Sequence, residues 1–324
     1  MLRLMLTAHP SITITAQSSF VYKLHSYYCG LTQESDRYEF VWRKLCKTQE
    51  FKDFQLGVGE KHFQDAVFSI PEGERTYSGF LEAIYEVHMK HNGKRRWGNK
   101  TPRLAKHLSL IDQLFPGSYI IGVIRDGRAV ALSYLDRQPL ETNPRKKLPP
   151  LPTEKTKIDG TFRLAIVPLA IRWLESLQPL HRDIRQLQDS VYTEVYYENL
   201  VDNPERELKR VCRFIGEDFS PAMLSYYKNA FRNVPKSKRR FHVNTTKPVD
   251  KSRANRWRAD LTASEVYAVE LILRDDLIRC GYKLTSPRLA AEDRQLIKSL
   301  LKAYFPEVLV PKPSMIYNTE NKVA

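Results

Sequence analysis

The sequence predicts an α/β fold, a parallel sheet flanked by helices, on three observations. Strand-like and helix-like segments alternate along the chain, the order that builds crossover units and parallel strands. Ser118 to Ile124 (SYIIGVI) is a continuous apolar run preceded by a turn at Pro116-Gly117, the pattern of a buried parallel strand. The chain has 324 residues, 42% hydrophobic and 27% charged, enough to bury a sizeable core and far from a disordered composition.

Each element follows from local pattern. Arg3 to Ala8 reads as part of a helix stopped by His9-Pro10. Ser11 to Ala16 (SITITA) alternates with period two and is β-branched, so it is a short strand. Phe20 to Met89 mixes aromatic and charged residues and reads as mostly helical, broken at Pro71-Glu72-Gly73. Lys94 to Gly98 is a short strand, and Leu104 to Phe115 has apolar positions at helical spacing. After the Ser118–Ile124 strand, Asp126 onward returns to helical composition, and Thr142 to Gly160, rich in Pro and Lys, is an exposed loop. Thr161 to Leu187 is helical with interruptions at Pro168 and Pro179, and Ser190 to Tyr196 is a strand. Asn203-Pro204-Glu205 opens a helix, with Pro in the first turn and an acidic neighbour. Asn233 to Arg258 is basic and irregular, helix resumes at Leu261 and ends near Cys280-Gly281, and Leu289 to Tyr304 is an amphipathic helix before a Pro-rich tail.

Composition narrows the function classes. Cys29, Cys46, Cys212 and Cys280 lie far apart without paired metal-ligand spacing, against both a disulfide scaffold and a zinc module. No apolar run approaches the ~18–20 residues of a membrane span, and the first residues are too polar for a signal peptide. A reducing, cytoplasmic setting is the expectation. The 52 Lys and Arg against 37 Asp and Glu give a net charge of +15, which calls for an anionic partner.

Ile121 to Arg137 (IGVIRDGRAVALSYLDR) carries the sharpest chemistry. A strand ends at Arg125 and a helix begins at once. Open parallel sheets bind ligands beyond the carboxyl ends of their strands. Arg125, Ser133 two helical turns later, and Arg137 one further turn on form a candidate phosphate clamp of two guanidiniums and a hydroxyl. Surface arginines paired with Asp126 or Asp136 satisfy the same spacing, so geometry leaves both readings open.

This segment resembles the 3′-phosphate-binding segment of sulfotransferases that use 3′-phosphoadenosine 5′-phosphosulfate (PAPS), in particular the bacterial branch similar to tyrosylprotein sulfotransferases. Trp97 to Arg128, Val195 to Gly216 and Thr245 to Thr262 resemble further blocks of that family, in the family's order. The resemblance implies a P-loop NTPase-like sheet flanked by helices. It implies a sulfotransferase domain over residues 1–284, then a C-terminal helix and tail over 285–324. The implied reaction is sulfuryl transfer from PAPS to a hydroxyl acceptor (small molecule, glycan or Tyr peptide), without a metal. Carried over by position, Arg125, Ser133 and Arg137 hold the 3′-phosphate, Tyr197 contacts the adenine, and Lys247, Lys251, Ser252 and Arg253 close over the phosphates. Lys100, in Asn-Lys-Thr-Pro, matches the family's active-site lysine. A cation there stabilises charge growing on the leaving oxygen.

Two departures stand out. The family's first strand and 5′-phosphosulfate loop have no counterpart here, because the chain opens at what looks like the following helix. The expectation is a natural start ~20–40 residues upstream, the span of one strand and loop. Gln17 stands where the family has a glutamate general base. An amide hydrogen-bonds an acceptor but does not take its proton, which leaves His9, His25 or His107 as substitutes, or an acceptor that ionises easily. Three rival readings follow. A degenerate relative would bind PAP or PAPS with little turnover. A nucleic-acid-binding protein would draw on Lys236 to Arg240 (KSKRR), but no nucleic-acid module signature accompanies that run. A kinase would need a Gly-x-x-x-x-Gly-Lys-Ser/Thr loop, which the sequence lacks.

Overall fold

The computed structural model describes residues 1–31, 34–136, 162–187 and 191–306. Helix α1 (Leu2–Thr7) runs into the His9-Pro10 stop, and β1 (Ile12–Ile14) follows. A helical stretch comes next: α2 (Phe20–Lys23), α3 (His25–Gly30), α4 (Glu34–Cys46), α5 (Gln49–Gln55), α6 (Glu60–Phe68) and α7 (Tyr77–His91). Then come β2 (Arg96–Gly98), a 3-10 turn over Pro102–Lys106, α8 (Leu108–Leu114), β3 (Tyr119–Ile124) and α9 (Gly127–Leu135). The later elements are α10 (Ile166–Asp183), β4 (Val191–Tyr196), α11 (Tyr197–Asp202), α12 (Pro204–Phe214) and α13 (Ala230–Asn233), then α14 (Ser252–Asn255), α15 (Trp257–Asp260), α16 (Ala263–Arg279) and α17 (Ala291–Tyr304).

Side-chain caps start several of these helices. Thr48 accepts from the Phe51 N–H, Thr76 from Gly79 and Asn203 from Arg206, while Thr262 and Glu265 form a reciprocal capping box. No described helix is long and apolar enough to cross a membrane.

The chain divides into two compact units. The first comprises Met1–Ile120, Asp183–Val191 and Asn203–Asp250. Its core is aromatic: Phe54 meets Phe20 at 5.5 Å, Tyr85 at 5.4 Å and Phe63 at 6.0 Å between ring centroids. All four rings are essentially inaccessible to solvent. Such pairs add about 0.5–1.5 kcal/mol each beyond area burial. Trp97 of β2 stacks on Tyr85 at 4.4 Å, so the helical core grips the strand directly. β2 pairs in parallel with β1, Ile12 opposite Arg96 and Ile14 opposite Gly98. A Cβ at Gly98 would meet the end of the Ile14 side chain, which would have to move aside.

The second unit comprises Ile121–Arg182, Tyr192–Asp202 and Lys251–Ala324, with most of the β3–β4 sheet. Within it α9 packs on α15 and α16, and α17 packs on α16. Leu273 and Leu277 of α16 and Ile297 and Leu301 of α17 are all buried.

All four predicted strands form, each within its predicted span. The strands pair two by two among the described residues, β1 with β2 and β3 with β4. Two features differ from expectation. β3 is buried on one face only: Gly122 and Ile124 are covered while Tyr119 and Val123 are about half exposed. An apolar run does not distinguish one-sided from two-sided burial. Finally, α10 continues through both prolines. Pro168 sits in the first turn, where its missing N–H is unneeded. Pro179 falls where Leu174, Leu177 and Leu180 bury the helix face, and that packing outweighs one lost backbone bond. The predicted Thr142 to Gly160 loop and the Pro-rich tail lie outside the described residues.

Phe54 is the hub of the first core. We expect Phe54→Ala to cost about 3–5 kcal/mol, read as a lowered midpoint in equilibrium urea unfolding.

Candidate active site

The predicted site residues fall in both units. In the second, the Arg125-Asp126-Gly127-Arg128 turn joins β3 to α9. Asp126 caps α9, its carboxylate accepting from the Arg128 N–H at 2.9 Å. Gly127 is required by close approach, since a Cβ there would meet Leu273 and the Trp173 ring. Arg128 turns inward and is 1% exposed. It pairs with Asp126 at 2.8 Å and with Glu270, donates to the Lys283 carbonyl at 3.0 Å, and lies 4.0 Å from the centre of the Trp257 ring. Burial opposes its charge, but the hydrogen bonds and charges of Asp126 and Glu270 outweigh that and raise its pKa. Glu270 is likewise opposed by burial, yet hydrogen bonds from Thr285 and Arg128 hold its carboxyl below the ordinary range.

This buried lattice aims Arg125 the other way. Trp173 Nε1 donates to the Arg125 carbonyl at 2.9 Å, and the Asp126 N–H donates to Glu198 at 3.1 Å. The Arg125 guanidinium lies 4.3 Å from the centre of the Tyr197 ring, and its Nη2 donates to the Arg253 carbonyl at 3.0 Å. Its Nε is buried and meets no hydrogen-bond partner among the described residues. A buried donor in that state calls for an acceptor, and an anion such as phosphate supplies one. The structure therefore brings Arg125, Tyr197 and the Arg253 backbone together. Ser133 is half-buried on α9, and Ser252 opens α14. Lys251 pairs with Asp202 at 3.2 Å on the surface. Arg137 lies outside the described residues.

In the first unit the parallel pair delivers Gln17 and Lys100. Both follow the carboxyl ends of paired strands, β1 and β2, so their loops emerge side by side. A hydrogen-bond chain locks the two loops. Asn99 Nδ2 donates to Tyr85 Oη at 2.7 Å, Thr101 Oγ1 donates to Asn99 Oδ1 at 2.8 Å, and the Ser18 N–H donates to Thr101 Oγ1 at 2.8 Å. Lys100 is thus held between two fixed neighbours and is half-buried. Gln17 is exposed, and its Nε2 donates to Ser19 Oγ at 3.1 Å. Lys247 is exposed elsewhere in this unit, its carbonyl accepting from Tyr226 Oη at 3.1 Å.

The three histidines differ. His9 is buried with both nitrogens committed to backbone: Nδ1 accepts from Ser11 at 3.1 Å, so Nε2 carries the proton and donates to the Asp218 carbonyl at 2.8 Å. That arrangement is structural, with both ring nitrogens already taken by backbone partners. His25 sits edge-on to Tyr77. His107 stacks on Tyr22 with 4.3 Å between centroids, and burial lowers its pKa against the nearby Asp183 charge.

Sequence reading named Asp126 only as a surface ion-pair partner, and missed Arg128, Trp173, Glu198 and Glu270 around Arg125 and the roles of Tyr85, Asn99, Thr101 and Ser18 around Lys100. Asn99 and Thr101 flank Lys100 directly, and Asp126 has N-cap chemistry just before a helix, so those three carried a local signal.

The second unit carries an arginine at a strand-to-helix turn and the first a lysine on a loop that follows a strand, so this is an α/β protein with cationic groups at its strand ends. A sequence profile described as the sulfotransferase family matches residues 1–221. The chain belongs to the sulfotransferase family. It is 26% identical over 184 residues to a Drosophila melanogaster protein-tyrosine sulfotransferase, covering 56% of this chain and 34% of that protein. It is 22% identical over 259 residues to protein-tyrosine sulfotransferase A of Caenorhabditis elegans, covering 79% and 57%. It is 27% identical over 208 residues to nodulation protein NoeE of Sinorhizobium fredii, covering 63% and 48%. The chain thus spans from about a third to just over half of these relatives' lengths. Among solved structures, the sulfotransferase domain of the Synechococcus PCC 7002 olefin synthase superposes with a TM-score of 0.51 at 16% identity, over 92% of this chain and 88% of that one. A sulfotransferase domain from the curacin biosynthetic pathway gives 0.51 at 15%, over 87% and 93%. These likenesses establish the fold.

Glu270 generates a pH prediction. Its folded pKa is depressed, so its contribution is present above the unfolded value of about 4.3 and is lost as pH falls through the folded value. We expect the melting temperature to drop in acid below about pH 4. Glu270→Gln should melt lower at neutral pH and show a shallower acid decline in thermal scans followed by circular dichroism.

Proposed function

We propose that this chain transfers a sulfuryl group from PAPS to a hydroxyl acceptor by in-line displacement. The observation that carries the reading is the buried, unpartnered Nε of Arg125 beside the Tyr197 ring at a strand's carboxyl end. That arrangement suits a phosphate next to a base. In this reading Arg125, Ser133 and Arg137 bind the 3′-phosphate and Tyr197 offers its ring to the adenine. Lys247 in the first unit, and Lys251, Ser252 and Arg253 in the second, contribute further charge and hydrogen bonds to the phosphates.

When bound, the donor supplies an activated sulfuryl group, whose transfer proceeds through a loose transition state like that of phosphoryl transfer. Lys100 neutralises charge that develops on the leaving oxygen, an interaction stronger in the transition state than in the ground state. Gln17 holds the acceptor hydroxyl without removing its proton. That favours a phenolic acceptor, which ionises near pH 10 and needs less help than an alcohol. The protein-tyrosine sulfotransferases among the relatives agree with a tyrosyl hydroxyl. The four free thiols fit a reducing, cytoplasmic setting.

A second reading, a PAP- or PAPS-binding protein with little turnover, is favoured by the amide at Gln17 alone. The two separate cleanly. We expect saturating PAP to raise the melting temperature by several degrees and Arg125→Ala to abolish that shift. No shift with the parent chain overturns both readings. Labelled sulfate reaching a phenol, a sugar or a Tyr peptide supports the enzyme, and PAP binding without transfer supports the second reading.

Two substitutions probe the chemistry. Lys100→Ala should lower kcat while keeping the PAP shift. Gln17→Glu should raise turnover, toward the ~10²–10⁴-fold typical of a general base. An unchanged rate in Gln17→Glu removes that position from catalysis.

A further inference from the structure

The clamp residues leave most of the +15 charge unexplained, and much of it is concentrated in one place. Residues 219–246 carry six Lys or Arg and no Asp or Glu. Lys236, Lys238 and Arg240 in this stretch are all exposed. Asp53 reaches the stretch from α5, and its carboxylate accepts from Ser237 Oγ at 2.8 Å.

Apolar surface lies in the same stretch. An open groove of about 230 Å³ is lined by Phe231, Val234 and Val243 together with Arg239, Arg240 and His242. Phe231 is 57% exposed and Val243 54% exposed, while Val234 beneath is buried. Arg239 fixes this geometry: its Nη2 donates to the Phe231 carbonyl at 3.0 Å and its Nε to the Val234 carbonyl at 3.4 Å. Its guanidinium also lies 5.3 Å from the centre of the Phe231 ring. The exposed ring and its backbone are held in place rather than left to fold back.

We infer that this stretch is a peripheral docking surface for an anionic lipid bilayer, with Phe231 and Val243 entering the headgroup region and the surrounding Lys and Arg binding the lipid charge. Reversible membrane attachment needs two signals, apolar insertion and a polybasic patch, and the two coincide here. Lys and Arg stems also lie along apolar surface while their charges stay in water. Single-stranded nucleic acid is the poorer fit. It calls for a succession of free ring faces, whereas Phe231 already faces Arg239 and Val243 is aliphatic. The inference is independent of the PAPS reading, because it uses none of the proposed clamp or catalytic residues.

The test is co-sedimentation of the full chain with phosphatidylcholine vesicles, with and without ~30% phosphatidylserine, near 0.1 M salt, where the Debye length is about 10 Å. Binding to the anionic vesicles and little to the neutral ones is expected. Replacing Lys236, Lys238 and Arg240 by Gln together should weaken partitioning about 100-fold, at about fivefold per charge. Phe231→Ser with Val243→Ser should weaken it about tenfold. All five positions are exposed, and unchanged thermal melts show that the variants fold. The inference is overturned if the parent chain ignores phosphatidylserine. It is also overturned if the Phe231/Val243 variant binds as well as the parent, or if an oligo(dT) strand or polyglutamate binds through these residues while vesicles do not.

Discussion

The second unit depends on one buried charge. Arg128 has almost no contact with water, and two carboxylates, a backbone carbonyl and an indole face take the place of its hydration. Removing a single partner of such a group typically costs 3–5 kcal/mol, because the remaining charges stay buried without compensation. Asp126 is shared between this cluster and the N-cap of α9, so one side chain starts the helix and neutralises its second residue. With Gly127 drawn against Trp173 and Leu273, the turn has little freedom, and Arg125 is held at the strand end by its neighbours on both sides.

The first unit solves a similar problem with neutral groups. Parallel pairing sends two chains out of β1 and β2 in the same direction, which by itself makes adjacent loops. The Tyr85–Asn99–Thr101–Ser18 chain then fixes the loops to each other and to the aromatic core. The core therefore does more than stabilise. Phe54 holds Tyr85, Tyr85 holds Trp97 and Asn99, and the lysine between Asn99 and Thr101 inherits that rigidity.

Much of this was legible in the sequence, and what was not has physical reasons. The strand positions were readable because β-branched alternation and apolar runs are local properties. The position of Arg125 at the end of β3 was readable because an apolar run followed by Asp-Gly marks a strand-to-helix turn. Arg128 was not, since composition makes it equivalent to Arg125, and its inward turn depends on Glu270, 142 positions away. The continuity of α10 through Pro179 depends on tertiary burial of its leucine face, which outweighs the local rule. The one-sided burial of β3 was hidden because Tyr119 and Val123 are apolar whether covered or not. Asn99 and Thr101 were in view as a motif, but their partners Tyr85 and Ser18 come from distant segments.

The hydrogen-bond chain behind Lys100 contains a phenol, two amide groups and one aliphatic hydroxyl, with no carboxylate or imidazole among its named links. Burial pushes the Tyr85 phenol well above its ordinary range, although Ser18 and Asn99 pull the other way. Every link in that chain therefore keeps its protons across the physiological span. The loops bearing Gln17 and Lys100 rest on a proton-inert mount, indifferent to shifts in acidity that would rearrange a histidine- or carboxylate-based one.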